Sequence, residues 1–394
     1  MHVQTVRTAF SWLVGGLVAF QSASGSEEIA IGMSTALSGP AADLGTNMRA
    51  GVMSAFFEAN ANVDVGGRVL RLIALDDGYE PALTVPNMRR LIDTDGVLAI
   101  VGNVGTPTAV AAIPIANESR TPFFGAFTGA GILRKSPPDR YVINYRASYA
   151  EETAAMVDAL ILHGGLKPEE VGVFTQRDAY GDAGFVGAVT ALERHGLTDR
   201  DTIAHGRYER NTMAVENGLA ELILADPVPR AVIMVGAYGP CAKAIRLGRE
   251  SGLEAIFLNV SFVGSASLAE ALGDAGEGVI ITQVVPHIEA DLPVVKAHAA
   301  ALEAWAPGTA PTFGSLEGYI AGRILVKAMS GIPGTIDRES IVVGLESLGA
   351  FDIGLGVSLE LSAEEHQACH AVWPTIIRAG RVVEFEWSEM ATEN

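Results

Sequence analysis

Continuous apolar runs alternate with amphipathic stretches along most of the chain. The runs IAIGM (29–33), VLRLIAL (69–75), VLAIV (97–101), VGVF (171–174), AVIMV (231–235), AIFL (255–258) and VIIT (279–282) have the length and branching of buried strands. Helix-length segments separate most of them. One segment carries Leu44, Met48, Val52, Ala55 and Ala59 at the spacing of a single helix face. Another begins SYAE (148–151), where Ser148 and Glu151 fit a capping box. Strands apolar on both faces and alternating with helices predict parallel sheets covered on each side. The fold class is α/β.

The pattern runs twice. A first series reaches Ile143, and NYRASYAEE (144–152) opens a second that ends near Thr282. Helices are expected over 291–304, 313–331 and 337–347, and AVWPTIIRAGRVVEFEW (371–387) reads as a hairpin turning at Ala379-Gly380. Two doubly wound units of similar make predict a cleft between them. In open α/β sheets, ligands sit beyond the carboxyl ends of the strands.

Composition narrows the function. The 394 residues are 49% hydrophobic and 19% charged, enough for a large core in two domains. The formal charge of −19 disfavours nucleic acid, whose partners need clustered cations, and disfavours anionic membrane surfaces. Arg7 followed by the apolar FSWLVGGLVAF (10–20) and the small residues QSASG predicts a secretory signal over 1–25, cleaved near Ala23–Gly25. No cysteine follows that apolar core, so no lipid anchor is expected, and no later run is long enough to span a bilayer. Cys241 and Cys369 are expected as separate buried thiols.

Two short loops carry the candidate chemistry. In VGNVGTPTAVAAIPIANESRTPFFGAFTG (101–129), two apolar runs each end in glycine and then threonine, Thr106 and Thr128. Thr106 is expected to N-cap a helix with Pro107 in its first position. The two hydroxyls and the helix N-terminus could share one carboxylate. Tyr180 and Tyr238 follow strands of the second unit and could wall the same cleft.

Other chemistry finds less support. The loop after the first strand lacks G-x-G-x-x-G, so Asp77 is read as capping the helix near Pro81 rather than binding a ribose. SAEEHQACH (362–370) has metal-type ligands in no recognised spacing and is read as structural. No nucleophile stands with a base. The expectation is a non-enzyme without cofactor or metal.

LSGPAADLG (37–45), LDDGYEP (75–81), the G-x-x-x-T loop at 102–106, Tyr180-Gly181 and SLEGYIAGRIL (315–325) occur in an order that resembles the leucine/isoleucine/valine-binding type of periplasmic solute receptors. The resemblance implies two lobes joined by a three-stranded hinge, with crossings near Tyr145–Ser148, Thr282–Val285 and Gly354–Gly356. The lobes would be 26–147 with 283–354, and 148–282 with 355–394. It implies that Thr106 and Thr128 meet a ligand carboxylate, that the Ala126 carbonyl faces an ammonium, and that Tyr180 and Tyr238 close over it. Leu44 and Phe313 would line the side-chain pocket. It further implies a monomer in the periplasm that binds a small molecule and passes it to the membrane permease of an ABC importer. The same module could instead serve a sensor, which the lack of a membrane span or output domain before Asn394 argues against. One position departs from the pattern: Ser261 stands where the family's amino-acid binders place a glutamate against the ammonium. Either Asp178, Asp182 or Glu317 supplies the acid, or the ligand has no α-ammonium.

Overall fold

The computed structural model describes residues 27–392; the expected signal segment, 1–25, lies outside the described residues. The chain forms β1 (Glu28–Thr35), α1 (Ala42–Asn62), β2 (Val69–Asp76), α2 (Pro81–Arg89), β3 (Ala99–Val101), α3 (Thr106–Glu118), β4 (Phe123–Phe124) and β5 (Val142–Ile143). It continues with α4 (Tyr149–Leu162), β6 (Val171–Gln176), α5 (Ala179–Arg194), β7 (His205–Tyr208), α6 (Glu216–Ile223), β8 (Ala231–Val235), α7 (Tyr238–Glu250), β9 (Ile256–Asn259), α8 (Ser265–Leu272) and β10 (Ile280–Gln283). The last elements are α9 (Pro293–Trp305), α10 (Phe313–Ser330), α11 (Arg338–Glu346), β11 (Gly349–Phe351), β12 (Leu359–Leu361), β13 (Trp373–Arg378) and β14 (Arg381–Glu384).

Strands built on continuous apolar runs must be covered on both faces, and they are: β3, β6 and β8 are buried along their whole length. Five parallel strands form the first sheet in the order β2-β1-β3-β4-β5. Seven form the second, in the order β14-β13-β10-β9-β8-β6-β7. Its first five strands in chain order run parallel, and β13 and β14 are added antiparallel at one edge. The hairpin of β13 and β14 turns on Ala379 and Gly380, both at positive φ, as a two-residue turn compatible with sheet twist requires.

After β10 the chain returns to the first sheet. Helix α10 lies directly on α1, because a Cβ on Gly318 would come within 2.2 Å of the Met48 carbonyl oxygen. This contact sets the start of α10, and with it Glu317, at the cleft.

Three segments link the sheets. Residues 144–148 run from β5 to α4, and the segment after β10 is tied to them by the Tyr145 hydroxyl, which donates to the Val284 carbonyl at 3.0 Å. The third link is not at Gly354–Gly356. That stretch turns against the start of α9, where the Val294 N–H bonds the Gly354 carbonyl at 3.2 Å. The crossing lies at 366–372 instead: Asn144 N–H bonds His366 O at 2.7 Å, and Cys369 N–H bonds Tyr145 O at 2.8 Å. The same pairing shows SAEEHQACH to be extended rather than helical. His366 faces the Asp139 and Val142 carbonyls and Glu346, whereas His370 contacts Glu151. Cys241 and Cys369 are buried free thiols.

Candidate ligand cleft between the sheets

The two threonine loops follow adjacent strands, β3 and β4, and are zipped together. Gly105 N–H bonds the Phe127 carbonyl at 3.2 Å, and Phe127 N–H bonds the Asn103 carbonyl at 2.7 Å. Gly105, not Thr106, is the N-cap of α3; Thr106 is the first helical residue. Gly105 has φ of 99°, and a Cβ there would fall 2.0 Å from the Tyr79 ring, so only glycine fits. The buried hydroxyls of Thr106 and Thr128 meet at 2.7 Å. The Ala126 carbonyl accepts the Thr128 N–H at 2.8 Å, keeping its second lone pair.

Asp77 does not cap α2, whose N-cap is Glu80. Its buried carboxylate instead accepts from the Ser34 hydroxyl, the Tyr79 N–H and the Thr84 hydroxyl. These bonds hold the Tyr79 ring against Gly105.

At the centre lies a residue the sequence did not single out. Arg146, in the first link, is fully buried. Its Nη2 meets the Ser261 hydroxyl and lies 3.5 Å from Glu152 Oε1, and its Nη1 lies 3.6 Å from Glu317 Oε1. The guanidinium sits 4.8 Å from the Phe127 ring centre. Glu152 is held by the Ser261 N–H at 2.7 Å, the Ser261 hydroxyl at 3.0 Å and the Thr282 hydroxyl at 2.6 Å. Burial works against the charge on Arg146, but Glu317 and Glu152 outweigh it and hold the guanidinium firmly protonated. Burial pushes the Glu317 carboxyl up to about 7, against the pull of Arg146. Glu152 is likewise raised by burial, with Arg146 and its hydroxyl donors opposing. Arg146 Nε and Nη1 hydrogen-bond to nothing among the described residues.

Of the three acids considered for the Ser261 position, Glu317 is the one that pairs with Arg146 and shares a cavity with Ser261. Asp178 caps α5 through the Tyr180 N–H, and Asp182 pairs with Arg207. Arg134 staples this region, donating to the carbonyls of Thr128, Ala130 and Arg146 and to Gln367 Oε1.

Aromatic rings fill the space between the sheets. Phe262, beside Ser261, packs 4.5 Å from Tyr180, 5.6 Å from Phe127 and 5.8 Å from Tyr79. Tyr180 also packs on Tyr149 at 5.2 Å, and its hydroxyl donates to the Gly236 carbonyl at 3.3 Å. Tyr238 stands apart, beside Leu44 and Gly264. Leu44, Phe313, Ser261 and Glu317 surround a cavity of only about 30 Å³, room for little more than a water molecule. At the outer edge, Arg210 pairs with Glu80 at 2.6 Å, Asn211 donates to the same carboxylate at 2.6 Å, and the Ser267 hydroxyl donates to Asp43 at 2.8 Å. These bonds join the two sheets' loops across the cleft.

Sequence reasoning thus missed Arg146, Glu152 and Phe262. The available signal was an arginine inside the otherwise uncharged link NYRASY, followed by Glu152 one helical turn beyond Tyr149.

Among the described residues, no His, Cys, Asp and Glu cluster is arranged to hold a metal, and no helix is long and apolar enough to cross a membrane. The family model for periplasmic binding proteins matches residues 28–381. The Leu/Ile/Val-binding protein of Escherichia coli (strain K12) is 22% identical over 294 residues, 71% of this chain and 74% of the relative. The crystal structure of a possible leucine/isoleucine/valine-binding protein from Rhodopirellula baltica SH 1 is 56% identical, with a TM-score of 0.91 over 93% of this chain and 98% of that one. A branched-chain amino acid ABC transporter structure from Thermus thermophilus with bound valine shares the fold at 21% identity, with a TM-score of 0.81 over 92% of this chain and 96% of that one. With its two parallel-sheet lobes and the cleft between them, the chain belongs to the periplasmic binding protein family.

Proposed function

We propose that this protein is the periplasmic receptor of an ABC importer, that it closes on a small carboxylate, and that Arg146 is the centre of recognition. The reading rests on one observation above the others: a fully buried guanidinium between the lobes whose Nε and Nη1 make no hydrogen bond among the described residues. Buried donors left without partners are costly, and a carboxylate oxygen satisfies them with charge-assisted bonds. The Thr106 and Thr128 hydroxyls supply the neutral half of the clamp. The relatives named for leucine, isoleucine and valine make an amino acid the natural comparison. Here, however, both nearby acids are already engaged with Arg146, so an α-ammonium would have to compete with a guanidinium for them. The preferred ligand therefore carries a carboxylate and no α-ammonium.

The protein acts as a monomer that binds without chemistry and passes its solute to a membrane permease. Its lobes are 27–147 with 283–365 and 148–282 with 373–392, the third crossing being 366–372. Calorimetry with leucine and with 4-methylpentanoate, its deaminated counterpart, tests the ligand class. The deaminated acid is expected to bind at least as tightly. Micromolar leucine binding, abolished in Ser261→Leu, would overturn it.

A further inference from the structure

The cleft has a second, far larger opening on the side away from Leu44 and Phe313. A groove of about 810 Å³ runs between α3 and the 129–134 loop of one lobe and α4 and α5 of the other. Its walls are mostly apolar, with Arg134, Glu151, Asp182 and Arg194 also lining it, and their apolar side chains are exposed: Val110 is 38%, Ile132 43% and Val186 61% accessible. Its floor lies where α5 packs tightly on α4, since a Cβ on Gly187 would fall 2.9 Å from the Ala150 Cα. Its inner end is polar. Thr106 lines it, with its hydroxyl on Thr128, and so does Tyr149, whose buried hydroxyl makes no hydrogen bond of ordinary geometry. The Arg146 guanidinium lies 5.9 Å from that tyrosine ring.

We propose that the groove between α3 and α5 holds the apolar tail of the ligand, so that the receptor takes carboxylates with an extended hydrocarbon body. The inference rests on the carboxylate reading above and goes beyond it by naming the rest of the molecule. The occupant follows from continuity: Thr106, which clamps the head, also lines the polar end of the groove. A free apolar trough leading outward from a buried, donor-rich end fits an amphipathic acid. The opposite cavity cannot take the tail, because Phe313, Leu44 and their neighbours leave space for little more than a water there. A tail in the groove touches both lobes, so its burial favours the closed form.

The test is a titration series with butanoate, hexanoate and octanoate, on the wild type and on Val186→Glu. Each methylene removed from water should raise affinity roughly fourfold. Wild-type octanoate should therefore bind at least tenfold more tightly than butanoate, and the octanoate-to-butanoate ratio should collapse in Val186→Glu. Val186 is largely exposed on a helix surface, so the variant should fold, and its melting temperature serves as the check. Alkanoates that bind with no gain in length would remove the groove but leave the carboxylate reading standing. A length gain that survives Val186→Glu yet is lost in Phe313→Ala would put the tail in the other cavity and overturn the proposal. If no alkanoate binds, the carboxylate reading and this inference fall together.

Discussion

Substituting Glu317 by glutamine should change not only how tightly the ligand is held but how binding depends on pH. Glu317 Oε1 stands 3.6 Å from Arg146 Nη1, and burial pushes its carboxyl up to about 7. The other charged groups facing Arg146 are Glu152 and, behind the loop, Arg134. An incoming carboxylate takes the face of Arg146 whose Nε and Nη1 make no hydrogen bond, and meets Glu317 as a like charge when that group is ionised. The anion therefore binds the form in which Glu317 holds its proton. The sign follows: the competent form is nearly complete at pH 6 and scarce at pH 8, so affinity should fall roughly tenfold over that interval, or ~1.4 kcal/mol. An ammonium ligand would give the opposite slope, because it would favour ionised Glu317. Calorimetry at pH 6, 7 and 8 in buffers of different ionisation enthalpy measures both affinity and proton uptake. Glu317→Gln should bind the carboxylate with little pH dependence and no proton uptake above pH 7. Carboxylate affinity that is flat or rises with pH in the wild type would refute the reasoning.

Three further substitutions probe the neighbouring groups. Thr106→Val removes one of two paired buried hydroxyls; a bond to a charged oxygen is worth ~1.5–3 kcal/mol, so carboxylate affinity should fall roughly tenfold to a hundredfold by calorimetry. Gly105→Ala combines a φ of 99° with a Cβ 2.0 Å from the Tyr79 ring and should cost ~1–3 kcal/mol in urea unfolding. Glu80→Ala breaks the link to Arg210 and Asn211 across the cleft; because the carboxylate is partly exposed the pair contributes ~1 kcal/mol or less. That variant should scatter X-rays as a larger unliganded particle, and an unchanged particle size would show that the link does not hold the lobes.

The elements legible in the sequence were those whose physics is local. Runs such as AVIMV are apolar at every position and can only be covered strands, and β8 is buried throughout. The capping box at Ser148 and Glu151 forms as its spacing requires. The meeting of Thr106 and Thr128 was readable because their loops follow adjacent parallel strands. By contrast, HGRY (205–208) has no apolar run; it is an edge strand, half-exposed, and only pairing with β6 defines it. The third crossing was misplaced because the glycines at 354 and 356 look like a linker. The true crossing is fixed by backbone bonds to 144–145 that leave no trace in residue type.

Arg146 was illegible for a related reason, and that reason bears on how the protein works. Its partners come from separate parts of the chain: Glu152 from the first turn of α4, Ser261 from the loop after β9, Glu317 from the first turns of α10. No spacing rule connects Ser261 and Glu317 to Arg146, because only the folded chain brings them together. Glu152 and Ser261 belong with the second sheet and Glu317 rides on α10 against α1, so the guanidinium on the first link stands between acids from opposite sides. Each acid alone would leave the charge balanced, and both together leave an excess of negative charge once Glu317 ionises. A carboxylate entering from the threonine side competes with Glu317 for Arg146, and the proton taken up by Glu317 resolves the competition. The missing glutamate at Ser261 is then no simple loss. The serine hydroxyl joins Arg146 to Glu152, and the cation that an amino acid would bring is already built into the hinge.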